Sequence, residues 1–270
     1  MFKKIVFFLV LLQSFSSGSA YAEGFGLGTH AGFGVIKYEE NTSAFGDEVE
    51  SKAVLNTALF GVSGEYSLKK PDNFFAGITT DWAFGLEDRE NWKENGVKIQ
   101  TDDLEIFGQF YDIRFGYKNS ISSFYYRAYI SGGWDGIHFS RDNFVVSGRP
   151  ESGSVTENFS LWRTGGGIGA GYKFDKWALD GRAAYAYYPR GQVRNSSLSQ
   201  FTFDTTGACL DVGAGIAREL IKNVNLYLGG SYTLIELKES DIERDDSVQA
   251  VFPESETQII VGVANLTFAF

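Results

Sequence analysis

The last eleven residues constrain this chain more than any other stretch. Ile260, Gly262, Ala264, Leu266, Phe268 and Phe270 fall on every second position up to the aromatic carboxyl terminus. A period of two is the repeat of a strand, and an apolar residue at each repeat puts one whole face out of water. The pattern recurs upstream. Between positions 74 and 86, Phe74, Ala76, Ile78, Thr80, Trp82, Phe84 and Leu86 share one face, while Gly77, Thr79, Asp81 and Gly85 share the other. Phe124, Tyr126, Ala128, Ile130 and Trp134 are set in the same way against Arg127, Ser131, Gly133 and Asp135.

Ten such segments follow one another, at about 24–38, 53–67, 74–86, 104–118, 124–134, 158–174, 177–187, 200–218, 224–238 and 256–270. Strands that cross a bilayer need about 9–11 residues and must close into a ring, because an open edge leaves backbone groups unsatisfied in hydrocarbon. An even strand number fits a single-chain barrel. Connection length alternates as well. Long segments near 39–52, 87–103, 140–157, 189–199 and 239–255 are separated by short ones at 68–73, 119–123, 175–176 and 219–223. The prediction is an all-β, antiparallel, up-and-down transmembrane β-barrel of ten strands, with periplasmic termini and five long extracellular loops. Aromatic residues gather where strands meet the interfaces: Tyr66, Phe74, Tyr117, Phe124, Phe174, Trp177 and Phe268 on the inner side, Trp82, Trp134, Trp162 and Tyr187 on the outer.

At the other end, Lys3 and Lys4 precede the apolar run Ile5 to Leu12, and a small-residue stretch leads to Ala20-Tyr21-Ala22. Residues 1–22 are expected to be a signal peptide cleaved before Glu23, leaving residues 23–270 as the barrel domain. The expected location is the outer membrane of a Gram-negative-type bacterium. A single cysteine, Cys209, cannot form an internal disulfide, so an exported chain of this kind takes its stability from the closed ring of strand hydrogen bonds. Closure needs no partner chain, which makes a monomer the expectation.

The formal net charge is −10, which argues against nucleic acid as a partner. The acids concentrate in three predicted loops: residues 39–52 hold five acids and one base, 87–103 six and three, 238–256 seven and two. Such a rim would attract basic peptides or divalent cations. Removing the last loop is expected to leave the barrel folded. Asp241-Ile-Glu243-Arg-Asp245-Asp246 lacks the spacing of a Ca²⁺ loop, and two histidines with one cysteine offer no metal cluster, so neither metal nor cofactor is expected. The lumen faces carry Glu65, Asp81, Asp112, Asp135, Asp180 and Asp211 against Arg114, Arg127, Arg163, Lys173 and Arg182. Near-balance in a narrow interior implies mutual pairing and a plugged barrel. The glycine run from Gly165 to Gly171 lies within a strand pattern with no helix after it, which removes a phosphate-loop reading.

Several stretches carry a family likeness: Phe115-Gly-Tyr-Lys leading through Phe124 to Ser131-Gly-Gly-Trp134, Gly169-Ala-Gly-Tyr-Lys-Phe174 with Trp177-Ala-Leu-Asp-Gly181, and Gly213-Ala-Gly215 through Asn225-Leu-Tyr-Leu-Gly-Gly-Ser-Tyr232. With ten strands and this length, the chain resembles the omptins, outer-membrane surface proteases that bind lipopolysaccharide. The resemblance implies contact with outer-membrane lipid and lipopolysaccharide. It also implies a water activated between an acidic pair on the second outer loop and an Asp-x-His pair on the fourth. Here Asp88-Arg-Glu90 stands where the acidic pair would be, but the fourth loop reads Pro189-Arg-Gly-Gln-Val-Arg-Asn195, with neither Asp nor His. The only histidines are His30 and His138. Three readings stay open: a non-catalytic surface binding or structural barrel, an endopeptidase for basic peptides using Asp88, Glu90 and His138, and a narrow channel.

Overall fold

The computed structural model describes residues 24–68, 73–245 and 248–270. The expected leader, residues 1–22, with its cleavage point before Glu23, lies outside the described residues, as does Asp246. Ten long strands form the wall: β1 (Gly24–Thr42), β2 (Val49–Ser67), β3 (Phe74–Glu94), β4 (Val97–Ile121), β5 (Phe124–Val146), β6 (Val155–Phe174), β7 (Trp177–Asn195), β8 (Phe203–Ile221), β9 (Val224–Leu237) and β10 (Glu254–Ala269). Each pairs antiparallel with its neighbours in sequence, and β1 pairs with β10 from Gly26↔Ala269 to Asn41↔Glu254, closing the ring. Every strand edge of the wall is thereby satisfied, which a lipid-embedded sheet requires. No helix among the described residues is long and apolar enough to cross a membrane.

Outward-facing apolar side chains form a continuous belt. Phe33, Phe115, Ile130 and Ile168 are exposed there, Phe33 to 72% and Ile130 to 71%. In water that surface would be strongly unfavourable, and in lipid it is solvated. The belt ends where outward positions turn polar: Lys37 follows Val35, Asp88 follows Leu86, Glu105 precedes Phe107, and Gln258 precedes Ile260. The strands do not end with it. β4 has 25 residues, on the order of 80 Å of strand at about 3.3 Å per residue, against a lipid-facing band about 25 Å tall.

Four of the five long outer connections are therefore largely strand. Residues 87–103 form a hairpin turning at Asn95-Gly96, where both residues have positive φ (48° and 78°), the geometry of a tight primed turn. Residues 39–52 and 140–157 likewise continue β1, β2, β5 and β6. Residues 189–199 complete β7 and add a 3-10 turn at Ser196–Leu198. Only the last connection is mainly loop, carrying a short hairpin in which Glu243–Arg244 pairs with Gln249–Ala250. The predicted two-residue turn at Asp175-Lys176 is present, with Phe174 opposite Trp177.

The interior has two layers. Within the membrane belt the lumen is polar and charged; beyond it, the outward head has an apolar core that surrounds one buried charged cluster. The head core takes inward residues from most strands, among them Tyr38, Leu55, Leu104, Phe139, Phe159 and Phe203. Aromatic rings run across it: Tyr38 to Phe139 at 4.6 Å, Phe139 to Phe159 at 4.8 Å and Phe159 to Phe252 at 5.3 Å between centroids. Phe252 belongs to the last outer connection, whose backbone is tied down where Phe252 N–H donates to Ser240 Oγ at 2.9 Å. That loop is not a detachable fringe, as the acidic composition suggests. Ala250 and Phe252 are buried beneath it and cap the barrel.

Candidate functional site

The membrane-level lumen holds the charged pairs that the alternation places there. Arg114 contacts Asp112, Arg163 lies 3.5 Å from both Asp112 and Asp135, and Arg182 lies 2.9 Å from Asp211. Two partners escape the reading of the alternation: His30, whose Nε2 is 3.0 Å from Asp81, and Lys118, 2.7 Å from Glu65. A cavity of about 110 Å³ lies among His30, Asp81, Asp112, Arg114, Arg163 and Asp211. It has room for several waters, for which these groups supply donors and acceptors. Above it, Tyr188 donates to Asp135 at 2.6 Å and joins this layer to the apolar head. Cys209 is buried, as expected of a small inward side chain.

The most concentrated chemistry is in the head, around Arg141 on β5. This guanidinium is 2% exposed, and its Nε, Nη1 and Nη2 reach Glu90 at 2.6 Å, Glu157 at 2.5 Å and Glu40 at 3.5 Å. The carboxylates come from β3, β6 and β1, so one side chain ties walls on different sides of the ring. Trp92, Phe139 and Tyr38 present ring faces 5.5 to 5.9 Å from the guanidinium carbon, a favourable setting for a delocalised cation. Further hydrogen bonds fix the acids. Tyr38 donates to Glu40, Ser51 to Glu90 at 2.7 Å, and Asn195 to Glu157 at 2.8 Å. Asp102, opposite Glu90 in the ladder, accepts from Trp92 Nε1 at 2.9 Å and Gln100 at 3.0 Å.

Four buried carboxyl groups thus face one cation, and Glu40, Asp102 and Glu90 respond to it differently. Burial raises Glu40 to about 8, only partly offset by Arg141 and reinforced by Glu157 and Glu90. Burial and the adjoining Glu90 raise Asp102 to about 7. Glu90 suffers burial too, but its contacts with Arg141, Asp102 and Ser51 prevail and hold it below the usual carboxylate range.

This arrangement separates the residues that the sequence grouped into a hydrolytic site. Glu90 is fully buried and bound by Arg141 and Ser51. Asp88 is exposed beside a register shift in the β3–β4 ladder, its carboxylate accepting from the Arg89 backbone N–H at 2.7 Å. His138 lies between inward-facing Ile137 and Phe139, which places it on the outer face of the wall. Its Nδ1 is 2.8 Å from Asn158 Oδ1. Glu90 and His138 therefore occupy opposite faces of the wall, and the three residues do not converge.

His138 instead lines an outer groove of about 460 Å³ at the edge of the belt, with Gln109, Trp134, Asn158, Gln192 and Arg194. Around the ring from it the outer face is acidic. Glu39 on β1, Glu256 on β10 and Glu236 on β9 are direct register partners, three like charges side by side across three strands. Lys52 offsets part of this, 3.2 Å from Glu39.

No family model matches the chain, and no curated protein matches it in sequence. Among solved structures it is similar to the outer membrane protease OmpT from Escherichia coli, at 11% identity and a TM-score of 0.61, over 93% of this chain and 100% of that one. It also matches the translocator domain of the autotransporter NalP from Neisseria meningitidis (14% identity, TM-score 0.38, 92% of this chain and 88% of that one). The outer membrane protein OprG from Pseudomonas aeruginosa gives 9%, 0.36, 92% and 98%. At such identities the likeness is one of fold: an outer-membrane β-barrel of omptin-like architecture.

Proposed function

We propose that this chain is a non-catalytic, surface-exposed barrel that binds through its outer rim and outer wall while its head serves as a structural plug. One observation carries the reading. The inward face of the head, where an acidic pair and a base would have to flank a substrate, is occupied by an aromatic core and by carboxylates already bound to Arg141. A general base must reach the water it activates, and His138 is on the other face of the wall from Glu90. Export by the leader at residues 1–22 and a monomeric state accord with this role.

Two surfaces are offered to partners. The row of Glu39, Glu256 and Glu236 favours basic peptides or proteins. The groove of Trp134, Asn158, Gln192 and Arg194, with His138 at its side, combines an aromatic face, amides and a cation at headgroup level, and suits the polar head of outer-membrane lipid or lipopolysaccharide.

The test is incubation of the refolded barrel, supplied with lipopolysaccharide, with a quenched peptide containing an Arg-Arg or Arg-Lys bond. The expected result is saturable binding of the peptide without cleavage, weakened by salt and by Glu256→Gln. Cleavage that disappears in Asp88→Ala would replace this reading by the endopeptidase one, in which Asp88 and Glu90 polarise water and His138 acts as base.

A further inference from the structure

The Arg141 cluster contains more acid than its single cation can neutralise, and it does so at a place that joins the walls of the head. Glu40 comes from β1, Glu90 from β3, Asp102 from β4, Arg141 from β5 and Glu157 from β6. All five are buried. Among the described residues, the side chains from other positions that hydrogen-bond to these acids are uncharged. Tyr38 of β1 donates its hydroxyl to Glu40, β2 offers Ser51, β7 offers Asn195, and β10 places Ser255 opposite Glu40. Asp102 Oδ1 is enclosed and has no hydrogen-bond donor, while its carboxyl lies against that of Glu90. Two facing carboxyl groups in a dry site are stable when they share a proton and repel when they do not.

The geometry points to a protonation-controlled clamp: with protons on Glu40 and Asp102 the head is held shut, and loss of both opens it to water. With both protons present, Glu90 and Glu157 face Arg141 and the cluster carries one net negative charge. Without them it carries three, in a site walled by Tyr38, Trp92 and Phe139. Such a charge is relieved only by water entering or by the walls parting.

The direction with pH follows from linkage. Both groups hold their protons to higher pH in the folded head than in an open chain, Glu40 to about 8 and Asp102 to about 7. The closed head therefore binds more protons than the open one between the ordinary carboxylate range and about pH 8. Its stability is fully present below that window and declines through it, the opening constant rising about tenfold per pH unit for each proton involved. An alkaline exterior loosens the head, and a neutral or acidic one tightens it. This device does not depend on whether the outer rim binds a partner.

Hydrogen exchange of the refolded full chain, read by mass spectrometry on peptides covering residues 36–41, 89–93 and 138–142, tests it. After correction for intrinsic exchange, their opening constants should rise at least about tenfold between about pH 6 and about pH 8. Peptides from the membrane belt, such as 111–117, serve as the reference and should not follow. Glu40→Gln and Asp102→Asn, which mimic the protonated groups, should each flatten the rise. Equal pH dependence of head and belt in the unmodified chain would overturn the clamp without recourse to a variant. So would an undiminished rise in both variants.

Discussion

Arg141→Met is expected to destabilise the outward head by about 3–5 kcal/mol, the cost of breaking a buried ion pair by removing one partner. The substitution keeps the apolar stem but leaves Glu90 and Glu157 in a site with, among the described residues, no other cation within ion-pair distance of either. Both must then take up protons or draw in water, and the ring faces of Trp92, Tyr38 and Phe139 lose the charge they surround. Urea unfolding of the refolded barrel followed by tryptophan emission should give an early transition for the head, separate from that of the belt. Adding Glu90→Gln and Glu157→Gln to Arg141→Met should recover most of the loss, because a cluster replaced on both sides leaves no orphaned charge. A single transition at the original midpoint would mean that the guanidinium is not the keystone of the head.

The second large effect is expected at Phe252. Its ring is 2% exposed and packs on Phe159 at 5.3 Å and Phe203 at 6.3 Å. Truncation to alanine should cost about 3–5 kcal/mol locally, combining lost burial with the cavity left behind. The accompanying sign is proteolysis: the connection between Leu237 and Glu254 should be clipped slowly in the unmodified chain and rapidly in Phe252→Ala. If its protection were unchanged, the loop would be held by its own hairpin and not by the barrel. Deleting the whole connection should uncover the same core, so loss of partner binding in such a deletion would not separate recognition from folding.

Architecture was readable because lipid imposes a period of two on one face of every strand. Phe74 to Leu86 and Ile260 to Phe270 carry that signal without interruption. What misled was charge. Residues 39–52 and 87–103 are rich in acids and look like solvated loops, yet Glu40, Glu90 and Asp102 alternate inward and are buried. Their partner Arg141 lies 51 positions from Glu90 and 101 from Glu40, a pairing that composition over short windows cannot register. Asn95-Gly96 was the local cue that a hairpin, not a loop, lay between those acids. The outward placement of His138 was also available from its neighbours Ile137 and Phe139. That Glu90 is clamped rather than catalytic could not be told from spacing, since Asp88-Arg-Glu90 reads the same either way.

The row of glutamates on the outer wall bears on how the ring is completed. Glu39 and Glu256 meet where the first strand joins the last, so the final zippering of the chain must push like charges together at its outer end. Lys52 relieves the contact from one side only. Counterions shorten the reach of the repulsion, to about 10 Å at 0.1 M salt and about 3 Å at 1 M. Ring closure during refolding should accordingly be faster, and fraying of that seam rarer, as ionic strength increases.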